Sequence, residues 1–475
     1  MSACRAWATF DDCSFQPEML EHVGVPRNRL GKWVGITSAT TAFSQGVTST
    51  LWGAASDVWG RKPVILVGLA STMMLSIVFG LSNTLTQLIV ARALIGLMNG
   101  NVGILRTMVA EMVLEPLLQP RAYSVMPLVW TIGCILGPSI GGGLARPADR
   151  FPSIFSGPWR KFPFLLPNLI SSCFFLMGIV TGTLFLRETL ASRKNSRDYG
   201  LILGRKLTRL CSRDRATKAN EHGEREPLLG PTDAIQFTQS GQEVGRPRWR
   251  DVLSSQSNLV LLVYTMLGLH TMAFDTLLPV FLHLDVQSLH GNPDVQLPWK
   301  FAGGLGMDSW TIGTMSTTIG AFGFLLQLWI FPHVVKRYGA FQCLQAASMV
   351  YPFLYLVMPF TPLLPSPARP VGVCLIMFAK LVATTFAFPC CTIQLTNSAA
   401  SLRVLGTLNG IATSVSSFGR AVGPAVVGGC FSFGVERGYI IFPWWIMSIF
   451  SILSLIPLVW ITGSHPPCLR NETDG

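Results

Sequence analysis

The sequence predicts an all-α membrane protein made of two pseudo-repeated helix bundles. Three observations carry this. The chain of 475 residues is 49% hydrophobic and only 13% charged, and its mean hydropathy of +0.45 is far from that of a soluble domain. Apolar runs of about 20 residues, the length that crosses a roughly 30 Å hydrocarbon core as a helix, recur along most of it. One glycine-proline pattern occurs twice, once in each half. Spanning segments of this kind must be helical, because only a helix satisfies all its backbone groups within one segment in lipid.

Taken in order, residues 1–31 form an N-terminal external segment with neither a signal peptide nor a spanning helix. Residues 32–190 hold a first bundle of about five spans, near 35–56, 63–82, 86–108, 122–145 and 163–186. Residues 191–256 are rich in Arg, Glu, Gly and Ser, cannot bury a core, and read as a disordered cytoplasmic loop. Residues 257–463 hold about six more spans, near 258–283, 309–332, 341–360, 370–393, 404–431 and 440–462. Residues 464–475 are a cytoplasmic tail. The count is about eleven spans.

The net charge of +12 does not point to nucleic acid, because the basic residues gather in loops between apolar runs. Arg61 and Lys62, Lys336 and Arg337, and the basic excess of 187–257 all fall on one side, which the positive-inside rule makes the cytoplasm. Arg146, Arg150, Arg160 and Lys161 fall on the other side and oppose that orientation. The eleven cysteines form no metal-type CxxC pairs and imply neither a disulfide framework nor a metal site. Trp444, Trp445 and Trp460, near span ends, fit an interfacial belt.

The repeat is GCILGPSIGGG at 133–143 and GRAVGPAVVGG at 419–429. Gly133 and Gly137, like Gly419 and Gly423, are one helical turn apart and leave a stripe where a neighbour can approach. Pro138 and Pro424 each remove a backbone donor, and Gly141 and Gly142 extend the first stripe. If a helix is missing before residue 32, both copies occupy the fifth span of a six-helix half, which is the offset a duplicated bundle predicts.

The stretch WGAASDVWGRKP at 52–63 squeezes charge between two spans. Asp57 at a helix end can pair with cations or face a helix terminus, Gly60 permits a tight turn, and Arg61 with Lys62 anchor the surface. Gly53, Asp57, Gly60, Arg61 and Lys62 resemble the G-x-x-x-D-x-x-G-R-K loop of the major facilitator superfamily, where such charges act as a conformational latch. GCILGPSIGGG is similar to the fifth-helix motif of that family's antiporters, and Arg92 in ARALIGLMNGN to its fourth-helix arginine. RALIGLMNGNVGILRTMVAEM and PEMLEHVGVPRNRLGKWVGITSA resemble the twelve-span drug:proton antiporter group, in particular its fungal and plant zinc-induced facilitator-like branch. The resemblance implies a major facilitator fold of twelve helices, the first of which is missing from this chain.

Ionisable residues inside spans cost several kcal/mol and are functional candidates by default. Arg92, His270, Asp275 and Lys380 are the candidates for proton coupling or substrate binding. Arg420 ranks below Arg92, and Arg106 and Glu111 read as interfacial anchors. His270 and Asp275 are offset around one helix, both able to border a cavity. Lys380 must pair with a carboxylate or lose its proton, and an ion pair joining Asp275 to Lys380 or Arg420 is the structural alternative.

The expected function is secondary active transport, proton-coupled antiport or efflux of small organic molecules by alternating access, in a monomer in the plasma or vacuolar membrane. The partners are then a small-molecule substrate, protons and the lipid bilayer, with no nucleic acid. A truncated, inactive or regulatory relative is the alternative. Neither G-x-x-x-x-G-K-[ST] nor HExxH occurs, and GPSIG at 137–141, though it reads G-x-S-x-G, lies within an apolar run and not at a strand-to-helix elbow, so no cofactor and no enzymatic activity are expected.

Overall fold

The computed structural model describes residues 15–112, 133, 137, 141–150, 157–190, 198–212, 254–288, 295–398 and 405–461. Pro138, most of the 122–145 span, the tail at 464–475 and the side chains of Arg106 and Glu111 lie outside them. A short helix at 15–22 (α1) leads into α2 (Leu30–Trp59), α3 (Arg61–Gly80), α4 (Leu85–Leu97) and α5 (Asn101–Met112). Then come α6 (Leu165–Phe185) and α7 (Tyr199–Ser212). The second half holds α8 (Ser255–His283), α9 (Ser309–Tyr338), α10 (Ala340–Val357), α11 (Ala368–Asn397), α12 (Leu405–Arg437) and α13 (Ile441–Trp460). Helix starts are set locally: the side chains of Thr84, Ser254 and Asp308 accept from the backbone N–H three residues on.

Nine helices among the described residues are long and apolar enough to cross a membrane. They coincide with nine of the eleven expected spans, α4 and the start of α5 together making one, Leu85–Leu105. A tenth, α2, has the length but falls short in apolarity, because Ser, Thr and Gly recur along it. Apart from the exposed Thr50, those small residues are buried or half-buried. Part of the loop expected to be disordered is helical: α7, whose Gly200 and Gly204 lie against the backbone of Thr183 and Leu184 at the end of α6. The external segment holds the short helix 15–22, whose Phe15 ring stacks on Phe164 at 5.6 Å.

Helix α12 is clasped on two sides, and its glycines make both contacts. A Cβ at Gly419 would lie 2.6 Å from the carbonyl oxygen of Thr265, and one at Gly423 would lie 2.1 Å from that of Leu269, both on α8. On the other side, a Cβ at Gly35 of α2 would lie 2.1 Å from the carbonyl oxygen of Pro424, and one at Gly428 would lie 2.3 Å from that of Gly31. Only residues without a Cβ permit such approach. The antiparallel seam continues through Gly46 against Ser417 to a 3.3 Å hydrogen bond between the Ser49 and Ser414 hydroxyls. From Gly31 to Ser49 it covers roughly 27 Å at 1.5 Å per residue, nearly a membrane thickness.

The sequence repeat is a structural repeat. A Cβ at Gly142 would meet the carbonyl oxygen of Ser309 at 2.4 Å and the Cα of Gly313 at 3.5 Å. Its counterpart Gly428 meets Gly31 and Gly35 in the same order, at 2.3 and 3.1 Å. The start of α9 therefore plays for the first half the part that the start of α2 plays for the second. Gly60 and Gly339, both with positive φ (104° and 83°), likewise end α2 and α9 at equivalent turns.

Trp444 departs from the expected interfacial belt. It is fully buried, edge-on to Phe281 (5.1 Å) and Phe274 (5.7 Å), because it lies on the face of α13 that packs on α8. Trp445 and Trp460 are exposed.

Close backbone packing predicts a sharp contrast between two neighbouring glycines. Gly428→Leu should lower stability by about 1–3 kcal/mol or more, the cost of overpacking. Gly429→Ala, with nothing within 4 Å of its added Cβ, should leave it within about 0.5 kcal/mol. Thermal unfolding of the detergent-purified protein reads both.

Candidate functional site

At the turn between α2 and α3, Gly60 adopts φ 104° and ψ 153°, a region closed to other residues. A side chain there would also strike the Glu188 carboxylate, whose Oε2 lies 2.6 Å from the position of a Cβ. Glu188, just past α6, accepts the backbone N–H groups of Arg61 (2.9 Å) and Lys62 (3.1 Å) and so caps the start of α3 from another segment. The Arg61 guanidinium reaches back to Asp57 and to the Ser56 hydroxyl, each at 2.5 Å. Lys62 donates to Asp198 at 2.6 Å and to the Thr183 carbonyl at 2.8 Å. Burial opposes ionisation of Asp198, but the hydrogen bond from Lys62 and those from the Leu201 and Gly200 amides outweigh it and hold the carboxyl below the usual range.

Asp57, Gly60, Arg61 and Lys62 thus form one assembly, completed by Glu188 and Asp198, which sequence reasoning missed. Gly53 has open space beside it and makes no close approach. The available signal for Glu188 and Asp198 was their place: two carboxylates within a dozen residues after a span, on the side that carries the basic turn.

The second assembly lies inside the spans of the second half. Lys380 of α11 donates to Asp275 of α8 at 2.6 Å, and its ammonium lies 5.4 Å from the Phe274 ring. Lys380 is buried, while the Asp275 side chain keeps 29% exposure, so the carboxylate is the accessible partner. Thr384 donates to the Lys380 carbonyl and accepts from the Tyr351 hydroxyl at 3.0 Å. His270 faces away from Asp275: its ring is fully buried between Tyr351 and Tyr355, with Nδ1 2.9 Å from the Tyr355 hydroxyl. Five residues turn α8 by about 500°, which sends the two side chains to different neighbours. The Phe274 ring packs on Tyr355 and Trp444.

Arg92 is not part of this cluster. It is buried in the first half with its guanidinium 4.4 Å from the Phe79 ring. Arg420 donates to Ser417 on its own helix at 2.8 Å. Gly133, Gly137, Gly141 and Gly142 are buried, and Gly419, Gly423 and Pro424 make the close contacts of α12.

A third assembly, also missed, joins the halves at the end opposite the basic turn. Glu21 accepts from Arg27 Nε (2.6 Å) and lies 3.1 Å from His283 Nε2, while Arg27 also pairs with Asp285. Arg29 pairs with Glu436 at 3.3 Å, Glu18 accepts the Ser309 amide at 3.0 Å, and Ser432 accepts the Lys32 amide at 2.8 Å. Burial works against ionisation of Glu21, and the hydrogen bonds from Arg27 and His283 overcome it, leaving the carboxyl below its usual range. That end of the molecule is closed.

Two structurally repeated sets of membrane-length helices, joined along glycine seams and carrying a buried ion pair, define a polytopic transporter fold. Residues 14–424 match the family model described as Major Facilitator Superfamily, and the chain belongs to that family. It is similar to the "Major facilitator superfamily multidrug transporter mfsB" of Aspergillus fumigatus, at 36% identity, covering 92% of this chain and 78% of the relative. It is also similar to "Protein ZINC INDUCED FACILITATOR-LIKE 1" of Arabidopsis thaliana, at 30% identity over 93% of this chain and 84% of that one. The crystal structure of the human organic anion transporter MFSD10 (TETRAN) shares the fold, with a TM-score of 0.60 at 17% identity over 96% of each chain. The protein is therefore a secondary transporter of small molecules, integral to a membrane.

The basic turn yields two measurable expectations. Gly60→Ala should cost about 1–3 kcal/mol from the strained backbone alone. The Lys62–Asp198 pair adds stability above the ordinary carboxylate range and loses it as pH falls through the lowered pKa of Asp198. Asp198→Asn should therefore cost roughly 1 kcal/mol at neutral pH and converge with the wild type in acid, read by unfolding across a pH series.

Proposed function

We propose that the protein exchanges protons for small organic molecules by alternating access, with the Asp275–Lys380 pair as its coupling centre. The observation that carries this reading is the pair itself. A buried lysine is held by one carboxylate, and that carboxylate is the more accessible of the two. Thr265, Met272 and Asp275 form a partly accessible stripe on α8, a helix otherwise largely buried against α2, α11, α12 and α13. On this reading the stripe lines the cleft between the halves, where an ionisable group is used and not merely tolerated.

A proton arriving at Asp275 neutralises the carboxylate and releases Lys380, loosening α8 from α11. Loss of that proton restores the pair. A substrate that competes for the carboxylate then trades places with the proton, which is the exchange that antiport needs. His270 and Arg92 stand behind this centre as further candidates, His270 through Tyr355 and Tyr351. Gly53, Asp57, Gly60, Arg61 and Lys62 serve as a latch on the cytoplasmic side that changes partners as the halves rock, and the two glycine-proline motifs are the surfaces on which they rock. On this reading the monomer works in the plasma or vacuolar membrane, and the closed end described above faces outward.

The test uses proteoliposomes with an imposed pH gradient. Asp275→Asn should abolish proton-driven flux. That single variant should also destabilise the fold by about 3–5 kcal/mol, the cost of leaving the buried Lys380 ammonium without its carboxylate. The double variant Asp275→Asn/Lys380→Met should recover most of that stability and still fail to couple. Wild-type proton-driven flux in the double variant would reduce the pair to a structural one.

A further inference from the structure

We infer that His283 is a second proton-binding site, set on the outer rim, which is loaded when the outer mouth closes and unloaded when it opens. The inference rests on the alternating-access reading above. It comes from where the two ring nitrogens point.

Nδ1 of His283 lies 3.2 Å from the carbonyl oxygen of Met307, and Nε2 lies 3.1 Å from Oε2 of Glu21. Both neighbours are acceptors only. A neutral imidazole donates from one nitrogen, so one of the two contacts would set a lone pair against an oxygen; the imidazolium donates from both.

The two acceptors belong to different halves of the transporter. Met307 is fastened to the same half as His283, since its amide donates to Leu282 at 2.8 Å, with Gly306 to Leu284 (2.8 Å) and Gly304 to Asp285 (2.9 Å) alongside. The Nδ1 contact therefore travels with the ring in any rigid movement of the halves. Glu21 lies in α1, on the far side of the mouth, and leaves when the mouth opens. One proton, on Nδ1, satisfies the open state. Closure brings a carboxylate to Nε2 and calls for the second.

The surrounding charges fit this accounting. From the first half, Arg27 holds Glu21 and also Asp285, the acidic neighbour on the His283 side, so each of those carboxylates already has one cation. Glu18 is occupied by the Ser309 amide and lies 3.6 Å from Arg146. From α9, Asp308 is engaged with Thr311. From α12, Glu436 is taken by Arg29. His22 packs edge-on to Phe164, 6.0 Å between centroids. Of these groups, Glu21 is the one that meets a ring nitrogen of His283. The closed state then holds one proton more than the open state at this site, so acid favours closure and alkali favours opening. A carrier whose outer mouth closes more readily in acid returns inward with its proton load in place.

The experiment measures the mouth and not transport. Spin labels at Asn83 and Ser366, exposed on the outer loops of opposite halves, report the width of the mouth in the full-length protein in lipid nanodiscs. Distances are compared at about pH 5.5 and about pH 8, either side of the ordinary histidine range. The wild type should shift toward the wide population as pH rises, by up to about tenfold in the open-to-closed ratio per pH unit for one linked proton. His283→Gln should flatten that response, and so should Glu21→Gln, which removes the carboxylate that calls for the second proton while keeping the histidine. Two populations whose ratio ignores pH, or a wild-type slope retained in both variants, would overturn the inference and leave alternating access standing. One fixed separation at every pH in all three proteins would overturn both.

Discussion

The architecture depends on the approach of α12 to its two neighbours without side chains in between. Gly419 and Gly423 bring it against the backbone of α8, while Pro424 and Gly428 bring it against that of α2. In lipid there is no hydrophobic force to drive helices together, so association relies on dense van der Waals contact, and small residues supply it. Placing the contacts on two faces of one helix makes α12 the shared wall between the halves. The tight fit of α8, and hence the position of Asp275 opposite Lys380, follows from that wall.

The buried pair imposes the complementary constraint. Lys380 cannot stay charged and alone inside the spans, so α11 must keep it within reach of a carboxylate. The hydroxyl of Thr384 and the ring of Tyr351 fix the neighbouring turn, and Tyr355 with Trp444 fills the space beside Phe274. Packing on α12 is rigid and apolar, whereas packing between α8 and α11 turns on one pair of charges. On the reading proposed above, a proton at that pair loosens α8 from α11 while the main-chain contacts of α12 stay in place.

Much of this was legible in the residues. Nine spans, the duplicated glycine-proline motif and the glycine turn at Gly60 follow from run length, spacing and the conformations that only glycine reaches. Lys380 was expected to pair with a carboxylate or lose its proton, and the pair with Asp275, the structural alternative, is the one found. The identity of contacts across the halves was not legible. Glu188 and Asp198 complete the basic turn from segments more than 120 residues away along the chain, and no local pattern marks a residue for a distant partner. His270 sits in a tyrosine-lined core, and the sequence does not separate that from a cavity, since a polar residue on an apolar helix suits both equally. Trp444 misled for a related reason: closeness to a span end says nothing about which way the ring faces. The polar length of α2 blurs its span for the same reason, since the Ser, Thr and Gly that lower its hydropathy are the residues that let it meet α12.

The twinned seams at the closed end carry a consequence for leakage. A barrier of interlocking side chains opens briefly whenever a rotamer changes, and a file of water entering such a gap conducts protons. At Gly31, Gly35 and Gly428, and again at Gly142, Ser309 and Gly313, the barrier is main chain against main chain, with nothing mobile enough to open a momentary path. If the protein exchanges protons as proposed above, it must not dissipate the gradient while idle. Insulation made of backbone meets that demand with the least moving material, and duplication places the same insulation on both sides of the mouth.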